Sequence, residues 1–228
     1  MMPIPFLDSW RALTHPREAF QELPPPLGVA LGRMAAVWVP LALGNALLTC
    51  WRAHQGYEAL RKGGLPLDLL ATAGVDPAVV EELLKTLPPA LPLMRLLPWL
   101  LVLVPLGVLG TWLHHAVWDH TGLWLLGGLK AKRGFRTSLL AEAEALRHAA
   151  LGTLVGLLSF LPLLGGLLSI PLLLLDGYLW LFRGFALAAR HDCEPWRGLA
   201  ATVIHAVLLG CCALGLLSCL VILLRMGG

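Results

Sequence analysis

Long runs of apolar residues, separated by short polar segments, constrain this chain more than any other feature of its sequence. About 20 mostly apolar residues are needed for one helix to cross a hydrocarbon core about 30 Å thick. The run Leu27–Trp51 contains one charged residue, Arg33, and the run 149–175 contains none. Only 14% of the 228 residues are charged and 57% are hydrophobic. This composition has too few charged residues to cover the surface of a protein in water. The sequence therefore predicts an integral membrane protein.

The predicted fold class is all-α: a polytopic membrane helix bundle of about five transmembrane helices, with short amphipathic interfacial helices. The run 149–175 would be about 40 Å long as one helix. Pro162, Gly165, Gly166 and Pro171 favour a turn within it, so we divide it into a hairpin. A single bent helix would instead leave four spans and move the C-terminus across the membrane. The predicted spans are about Leu27–Trp51, Leu96–Val117, Leu146–Leu163, Leu167–Ala188 and Leu199–Leu224.

Two regions follow from this division, an N-terminal segment (1–26) and a transmembrane domain (27–225). Phe6, Trp10 and Leu13 recur at helical spacing, which is typical of an amphipathic helix in the membrane interface. The alternative is a disordered tail with scattered apolar residues. No basic stretch precedes an apolar core here, so a cleavable signal peptide is not expected.

The distribution of basic residues predicts the orientation. With the N-terminus in the cytoplasm, eleven of the 17 Lys and Arg residues would lie inside and six outside. The C-terminus is then expected outside. The net charge of +3 comes without a basic cluster interleaved with aromatic residues, so the bilayer is the expected partner and nucleic acid is not.

Asp176 is the charged residue that the sequence places deepest in the membrane, in the predicted fourth span. A carboxylate at that depth costs about 2.5–3.5 kcal/mol on insertion scales. His114, His115, His205 and Arg33 are its candidate partners. Asp176 is interpreted either as a bridge between helices or an interfacial carboxylate, or as part of an ion or proton relay.

The segment WLHHAVWDHTG (112–122) is the densest polar cluster. His115 and Asp119 are four residues apart and share a helix face, whereas His120 points elsewhere. These three residues are weak candidates for a zinc-type site, which would need further ligands. An interfacial helix end rich in His and Trp is the competing interpretation, so no metal or cofactor is predicted.

Glycines at four-residue spacing mark candidate packing faces. Gly28 and Gly32 lie in the first span, and Gly152 and Gly156 lie in the third. Such spacing permits close helix approach, within one chain or between copies.

No catalytic motif is present: the sequence contains no GxSxG, HExxH or P-loop pattern. The five cysteines show no metal-binding spacing. No enzyme activity is therefore expected.

The order of these features resembles that of the Yip family of five-span integral membrane proteins, and the bacterial branch is most similar. The resemblance rests on HPREAF (15–20), HTGLWLLGG (120–128), GFRTSLL (134–140) and LPLLGG (161–166). It implies a cytoplasmic N-terminus, an outside C-terminus and no enzyme activity. Eukaryotic members interact with Rab GTPases, but this chain lacks their long N-terminal region.

The expected function is therefore that of a non-enzymatic organiser or protein-interaction scaffold in the bacterial cytoplasmic (inner) membrane. It would bind protein partners through the N-terminal segment and the basic loop 130–136, or it would self-associate through its helix faces. The alternative is a transporter of a small solute, protons or metal that uses Asp176 and the central histidines.

Overall fold

The computed structural model describes residues 5–62, 77–86, 88–90, 92–129, 133–161 and 166–226. These residues form helices and connecting turns without a β-strand, which confirms the all-α fold class. The helices are α1 (Pro5–Thr14), α2 (Pro16–Ala19), α3 (Leu27–Arg61), α4 (Pro77–Thr86), α5 (Leu93–Leu125), α6 (Phe135–Gly156), α7 (Ser169–His191) and α8 (Pro195–Met226). A 3₁₀ turn (Leu157–Phe160) follows α6.

Four helices in the described part of the chain are long and apolar enough to cross a membrane. They are α3, α5, α7 and the Pro195–Leu223 portion of α8, and they indicate a multi-pass membrane protein. The predicted third span is not among them: its first part belongs to α6, and Pro162 and Leu163 lie outside the described residues. Five spans therefore remain a prediction.

Several helix boundaries differ from those predicted. Helix α3 continues past Trp51 to Arg61, because the residues that follow are mostly good helix formers. Helix α6 begins at Phe135, eleven residues before the predicted third span, since no glycine or proline interrupts 135–147. Helix α5 ends at Leu125, beyond the predicted end of the second span at Val117.

The chain divides into two compact units, and residues 42–106 form the smaller one. Its local contacts join the end of α3 to the segment after α4. The Tyr57 hydroxyl donates to the Pro88 carbonyl at 2.7 Å, and the Ala90 N–H donates to Glu58 Oε1 at 3.0 Å. Helix α4 begins at Pro77 in the segment DPAVVEELLKTL (76–87), whose first residue, Asp76, lies outside the described residues.

The larger unit contains residues 5–41 and 107–226 of the described chain. Helix α7 packs against both α6 and α8, and small residues set how closely these helices approach. A Cβ atom on Gly184 would lie 2.7 Å from Leu199 Cα, and one on Gly122 would lie 2.8 Å from the Ala201 carbonyl oxygen. Small residues at helix crossings are typical of membrane bundles.

A tight turn joins α7 to α8. Asp192 adopts a left-handed conformation with φ of 54°, which Asp tolerates better than most residues. The Cys193 N–H donates to the Ala188 carbonyl at 3.0 Å, closing the end of α7 as a left-handed cap does. The chain therefore reverses within a few residues, and α7 and α8 run antiparallel.

The N-terminal segment of the larger unit contains α1 and α2, which pack against α6 and α7. Ser9, Ala12 and Phe20 are buried, whereas Trp10 is 63% exposed. The face through Ser9 and Ala12 contacts the bundle, and the position of α1 in the membrane interface stays a prediction. The small side chains on that face allow α1 to pack closely on α6.

The last part of α8 covers no other described part of the chain. Residues 210–223 are all exposed, including Cys211, Cys212 and Cys219. In a bilayer this apolar surface faces lipid or another protein, where a free cysteine behaves as a small hydrophobic residue.

Candidate functional site

Four helices of the larger unit each contribute one polar side chain to a buried cluster. Asp119 comes from α5, Glu142 from α6, Arg183 from α7 and His205 from α8, and none is more than 1% exposed. We call these four residues the buried charge cluster. Ionisable groups are almost never fully buried unless they are paired, so this cluster is the strongest candidate site in the described chain.

Helical periodicity brings the two carboxylates into the bundle. Asp119 lies on the buried face of α5, with Ala116 one turn before it and Leu123 one turn after it. Glu142 lies on the buried face of α6, with Ser138 one turn before it. Each acid therefore interrupts a face that is otherwise made of small or apolar residues.

Arg183 is the cation between the two acids. Its NH1 atom lies 3.5 Å from Asp119 Oδ2 and 3.7 Å from Glu142 Oε2. Its guanidinium carbon lies 4.2 Å from the centre of the Trp180 ring, and its Nε donates to the Trp180 carbonyl at 3.3 Å. The Asp119 carboxylate and the aromatic face together offset part of the desolvation cost of the cation.

His205 extends the cluster along a directional hydrogen-bond chain. Its Nδ1 lies 2.6 Å from Asp119 Oδ1, and its Nε2 lies 3.2 Å from His114 Nε2. Because a carboxylate only accepts, His205 Nδ1 must carry the proton. In a neutral His205 ring, Nε2 then accepts from His114.

Glu142 carries the proton that balances the cluster. This residue precedes the predicted third span, and its complete burial together with the nearby Asp119 carboxylate raises its pKa well above the usual value. A neutral Glu142 leaves Asp119 and Arg183 as a compensated ion pair, as a site excluded from water requires.

A second polar network joins α5, α6 and α7, through residues close in sequence to those of the buried charge cluster. The Ser138 hydroxyl is 2.8 Å from His120 Nδ1 and 2.8 Å from His191 Nε2. One hydroxyl can donate to one ring and accept from the other. This network links α5, α6 and α7 at fully buried Ser138 and His191.

The three weak metal candidates do not converge on one point. Asp119 pairs with Arg183 and His205, and His120 bonds to Ser138. His115 packs edge-on against Trp180, with ring centres 5.5 Å apart. Among the described residues, no group of three His, Cys, Asp or Glu side chains is arranged to hold a metal ion.

Asp176 is exposed and lies apart from the buried charge cluster. It has no hydrogen-bond or ion-pair partner among the described residues, so the predicted bridge from Asp176 to other helices is not formed. Asp176 is seven residues from the start of α7, about 10 Å along the helix. It shares a helix face with Arg183, two turns further on, but the buried residues of α7 begin only at Leu179. The predicted partner His205 bonds to Asp119 instead.

The sequence analysis did not identify Glu142 or Arg183 as site residues. Glu142 precedes the predicted third span, and Arg183 lies within the predicted fourth span. A usable signal was present: each lies among small residues, in SLLAEAEALRHAA (138–150) and FRGFALAA (182–189). A charge within a small-residue face indicates a buried pair.

The four candidate packing glycines have different surroundings. A Cβ atom on Gly152 would collide with Leu179 of α7, whereas one on Gly28, Gly32 or Gly156 would meet no atom within 4 Å. Gly152 therefore lies at a close approach within the chain, and the other three do not. Packing of Gly28 and Gly32 against a second copy remains a prediction.

Two cavities of about 610 and 670 Å³ lie beside the N-terminal segment. The first is bounded by α1, α2, the start of α3, and side chains of α6 and α7. Neither cavity is lined by Asp119, Glu142, Arg183 or His205. The buried charge cluster is therefore not part of the wall of either cavity.

No family model, curated protein or solved structure matches this chain, so the resemblance to the Yip family stays a prediction from the sequence motifs.

Proposed function

We propose that this protein is a non-enzymatic, multi-pass membrane protein that acts as an organiser or protein-interaction scaffold. The observation that carries the proposal is the enclosure of the buried charge cluster. Its four side chains come from four helices, are at most 1% exposed, and line neither of the two cavities beside the N-terminal segment. Charges placed in this way hold helices in register rather than form a path.

The N-terminal segment is the surface that we assign to partner binding. Arg190 anchors it by donating to the Phe20 carbonyl at 3.1 Å and to the Glu22 carbonyl at 2.8 Å. Glu144 orients the same guanidinium through two contacts of 2.6 and 2.8 Å. The segment is therefore fixed on one side, while exposed residues such as Trp10 face outward and are available to another protein.

The ends of several helices support the proposed orientation. Arg133, just before α6, donates to the Arg190 carbonyl at 2.6 Å, and Arg197 of α8 donates to the Gly127 carbonyl at 2.7 Å. The start of α6, the end of α7 and the start of α8 therefore lie near the N-terminal segment that Arg190 holds. Such a concentration of Arg residues is typical of the cytoplasmic side of a membrane protein.

Photocrosslinking tests the scaffold proposal. A photoreactive amino acid would replace Trp10 in the full-length protein, expressed in its native membranes, and Leu216 in the lipid-facing part of α8 would be the matched position. We expect protein crosslinks of defined mass from position 10, and we expect lipid crosslinks from position 216. If position 10, like position 216, yields only lipid crosslinks, the assignment of this surface to a protein partner is wrong.

Proton movement is the second candidate function, and one observation favours it. The hydrogen-bond chain from His114 through His205 to Asp119 starts at a half-buried residue and ends at a buried carboxylate. Histidine and carboxylate chains are the usual components of proton relays in membranes. A transporter of this kind would use Asp119 and His205, not Asp176.

A further inference from the structure

The cavity of about 610 Å³ beside the N-terminal segment has the size of a small-ligand site. It lies between α1, α2 and the start of α3, with side chains of α6 and α7 forming its other wall. Four arginines and four carboxylates line it, so the charges of the lining balance. Their pairing determines which ligand the cavity can hold.

Two of the four arginines are already paired within the protein. Arg190 contacts both oxygens of Glu144, and Arg147 NH2 lies 3.8 Å from Asp8 Oδ2. Arg11 and Arg33, by contrast, have no ion-pair or hydrogen-bond partner for their side chains among the described residues. The carboxylates of Glu18 and Glu22 are likewise unpaired there, and all four of these side chains line the cavity. The free lining therefore consists of two cations and two anions.

The cavity wall changes from polar to apolar along α3. Arg33 lies six residues from the start of this helix at Leu27, about 9 Å along its axis. Ala36 and Val37 continue the wall one turn further into the apolar run. A ligand in this position would have a charged end at the depth of the headgroups and an apolar end among the acyl chains.

We propose that this cavity binds the headgroup of a phospholipid that carries both a phosphodiester and a primary ammonium group, such as phosphatidylethanolamine. Arg11 and Arg33 bind the phosphodiester, because guanidinium groups match the geometry of phosphate oxygens. Glu18 and Glu22 accept hydrogen bonds from the ammonium group. The acyl chains lie along the apolar side of α3 beyond Val37.

Two other ligands share part of this chemistry and fit less well. An anionic lipid such as phosphatidylglycerol would satisfy the arginines but leave Glu18 and Glu22 facing a negative ligand. Inorganic phosphate would do the same and would leave the apolar wall at Ala36 and Val37 without a partner. The charge balance and the apolar wall together favour the zwitterionic lipid.

Native mass spectrometry of the full-length protein in detergent tests this proposal. The protein would be titrated separately with dioleoyl phosphatidylethanolamine and dioleoyl phosphatidylglycerol, and phosphatidylethanolamine binding would be repeated in the presence of millimolar inorganic phosphate. We expect one retained phosphatidylethanolamine, bound at least about tenfold more tightly than phosphatidylglycerol. Inorganic phosphate should not displace it.

Three variants distinguish the site from general lipid adhesion. Arg11→Gln with Arg33→Gln should weaken phosphatidylethanolamine binding by about tenfold or more. Glu18→Gln with Glu22→Gln should shift the preference toward phosphatidylglycerol, which a merely unfolded variant would not do. Arg136→Gln, an exposed arginine outside both cavities, is the matched control and should leave binding unchanged.

Three results would overturn the proposal. Equal retention of both lipids by the parent protein would indicate adhesion without a headgroup site. A preference of the parent for phosphatidylglycerol would contradict the role of the two glutamates. Displacement of the lipid by inorganic phosphate would assign the cavity to free phosphate.

Discussion

The Arg183 guanidinium lies 3.5 Å from the Asp119 carboxylate, and both side chains are almost completely excluded from solvent. Glu142 is only slightly further from the same cation, at 3.7 Å. The two acids nevertheless differ, because the raised pKa of Glu142 keeps it neutral while Asp119 carries the charge that balances Arg183. Substitutions of the two acids should therefore have different consequences.

Asp119→Asn should strongly destabilise the protein, because it leaves Arg183 as an uncompensated buried cation. Breaking a buried pair in this way costs about 3–5 kcal/mol. Glu142→Gln is the matched control: it preserves a neutral side chain of similar shape and should cost less than about 1.5 kcal/mol. Thermal unfolding in detergent measures both variants. Equal losses of stability would contradict the assigned protonation of Glu142.

Gly184→Ala should destabilise the crossing of α7 and α8. The added Cβ would lie 2.7 Å from Leu199 Cα, a backbone atom that cannot move aside as a side chain can, and such overpacking costs about 1–3 kcal/mol. Gly210→Ala on α8 has no atom within 4 Å of its added Cβ and is the control. The same unfolding assay should show Gly210→Ala as stable as the parent or more stable, since Ala favours a helix. A Gly184→Ala variant as stable as Gly210→Ala would argue against this crossing.

Arg190→Lys should release the N-terminal segment. Lysine keeps the charge but cannot contact Glu144 and the Phe20 and Glu22 carbonyls at once. Trypsin cleavage after Arg17, followed by mass spectrometry, should accelerate about tenfold or more because a charged hydrogen bond contributes about 1.5–3 kcal/mol. Arg136→Lys should leave this rate unchanged. Identical rates in Arg190→Lys and the parent would show that Arg190 does not anchor the segment.

A reporter enzyme fused after Gly228 tests the topology. Five spans with a cytoplasmic N-terminus put this end of the chain outside, so a reporter that is active only outside the cytoplasm should be active. The same reporter fused after Arg133, in the basic segment before α6, is the matched position and should be inactive. Cytoplasmic location of the fusion at Gly228 would contradict the five-span arrangement.

The sequence was sufficient to predict the helices of the fold, because apolar runs of membrane length leave the backbone few other options. Leu93–Leu125 and Pro195–Met226 follow the predicted spans closely. The break between α6 and α7 is also near the predicted turn at Pro162 and Gly166, since these residues disfavour a continuous helix.

The candidate site was harder to predict, because its partners lie on different helices. Asp119 was singled out for its neighbours His115 and His120, but its actual partners are Arg183 and His205, 64 and 86 residues further along the chain. Asp176 was interpreted as a helix bridge, an interfacial carboxylate or part of a relay because it lies in an apolar run, and its side chain is exposed. Hydropathy shows that a residue lies in a membrane helix but does not show which neighbour its side chain meets.

Proton flux into liposomes tests most directly whether the buried charge cluster is an enclosed helix bridge. The purified full-length protein would be reconstituted with an internal pH-sensitive dye, and a potassium diffusion potential would drive proton entry. The account predicts a dye response equal to that of protein-free liposomes for the parent and for the Asp176→Asn variant. Proton entry in the parent that persists in Asp176→Asn and is lost in a folded Asp119→Asn variant would contradict it.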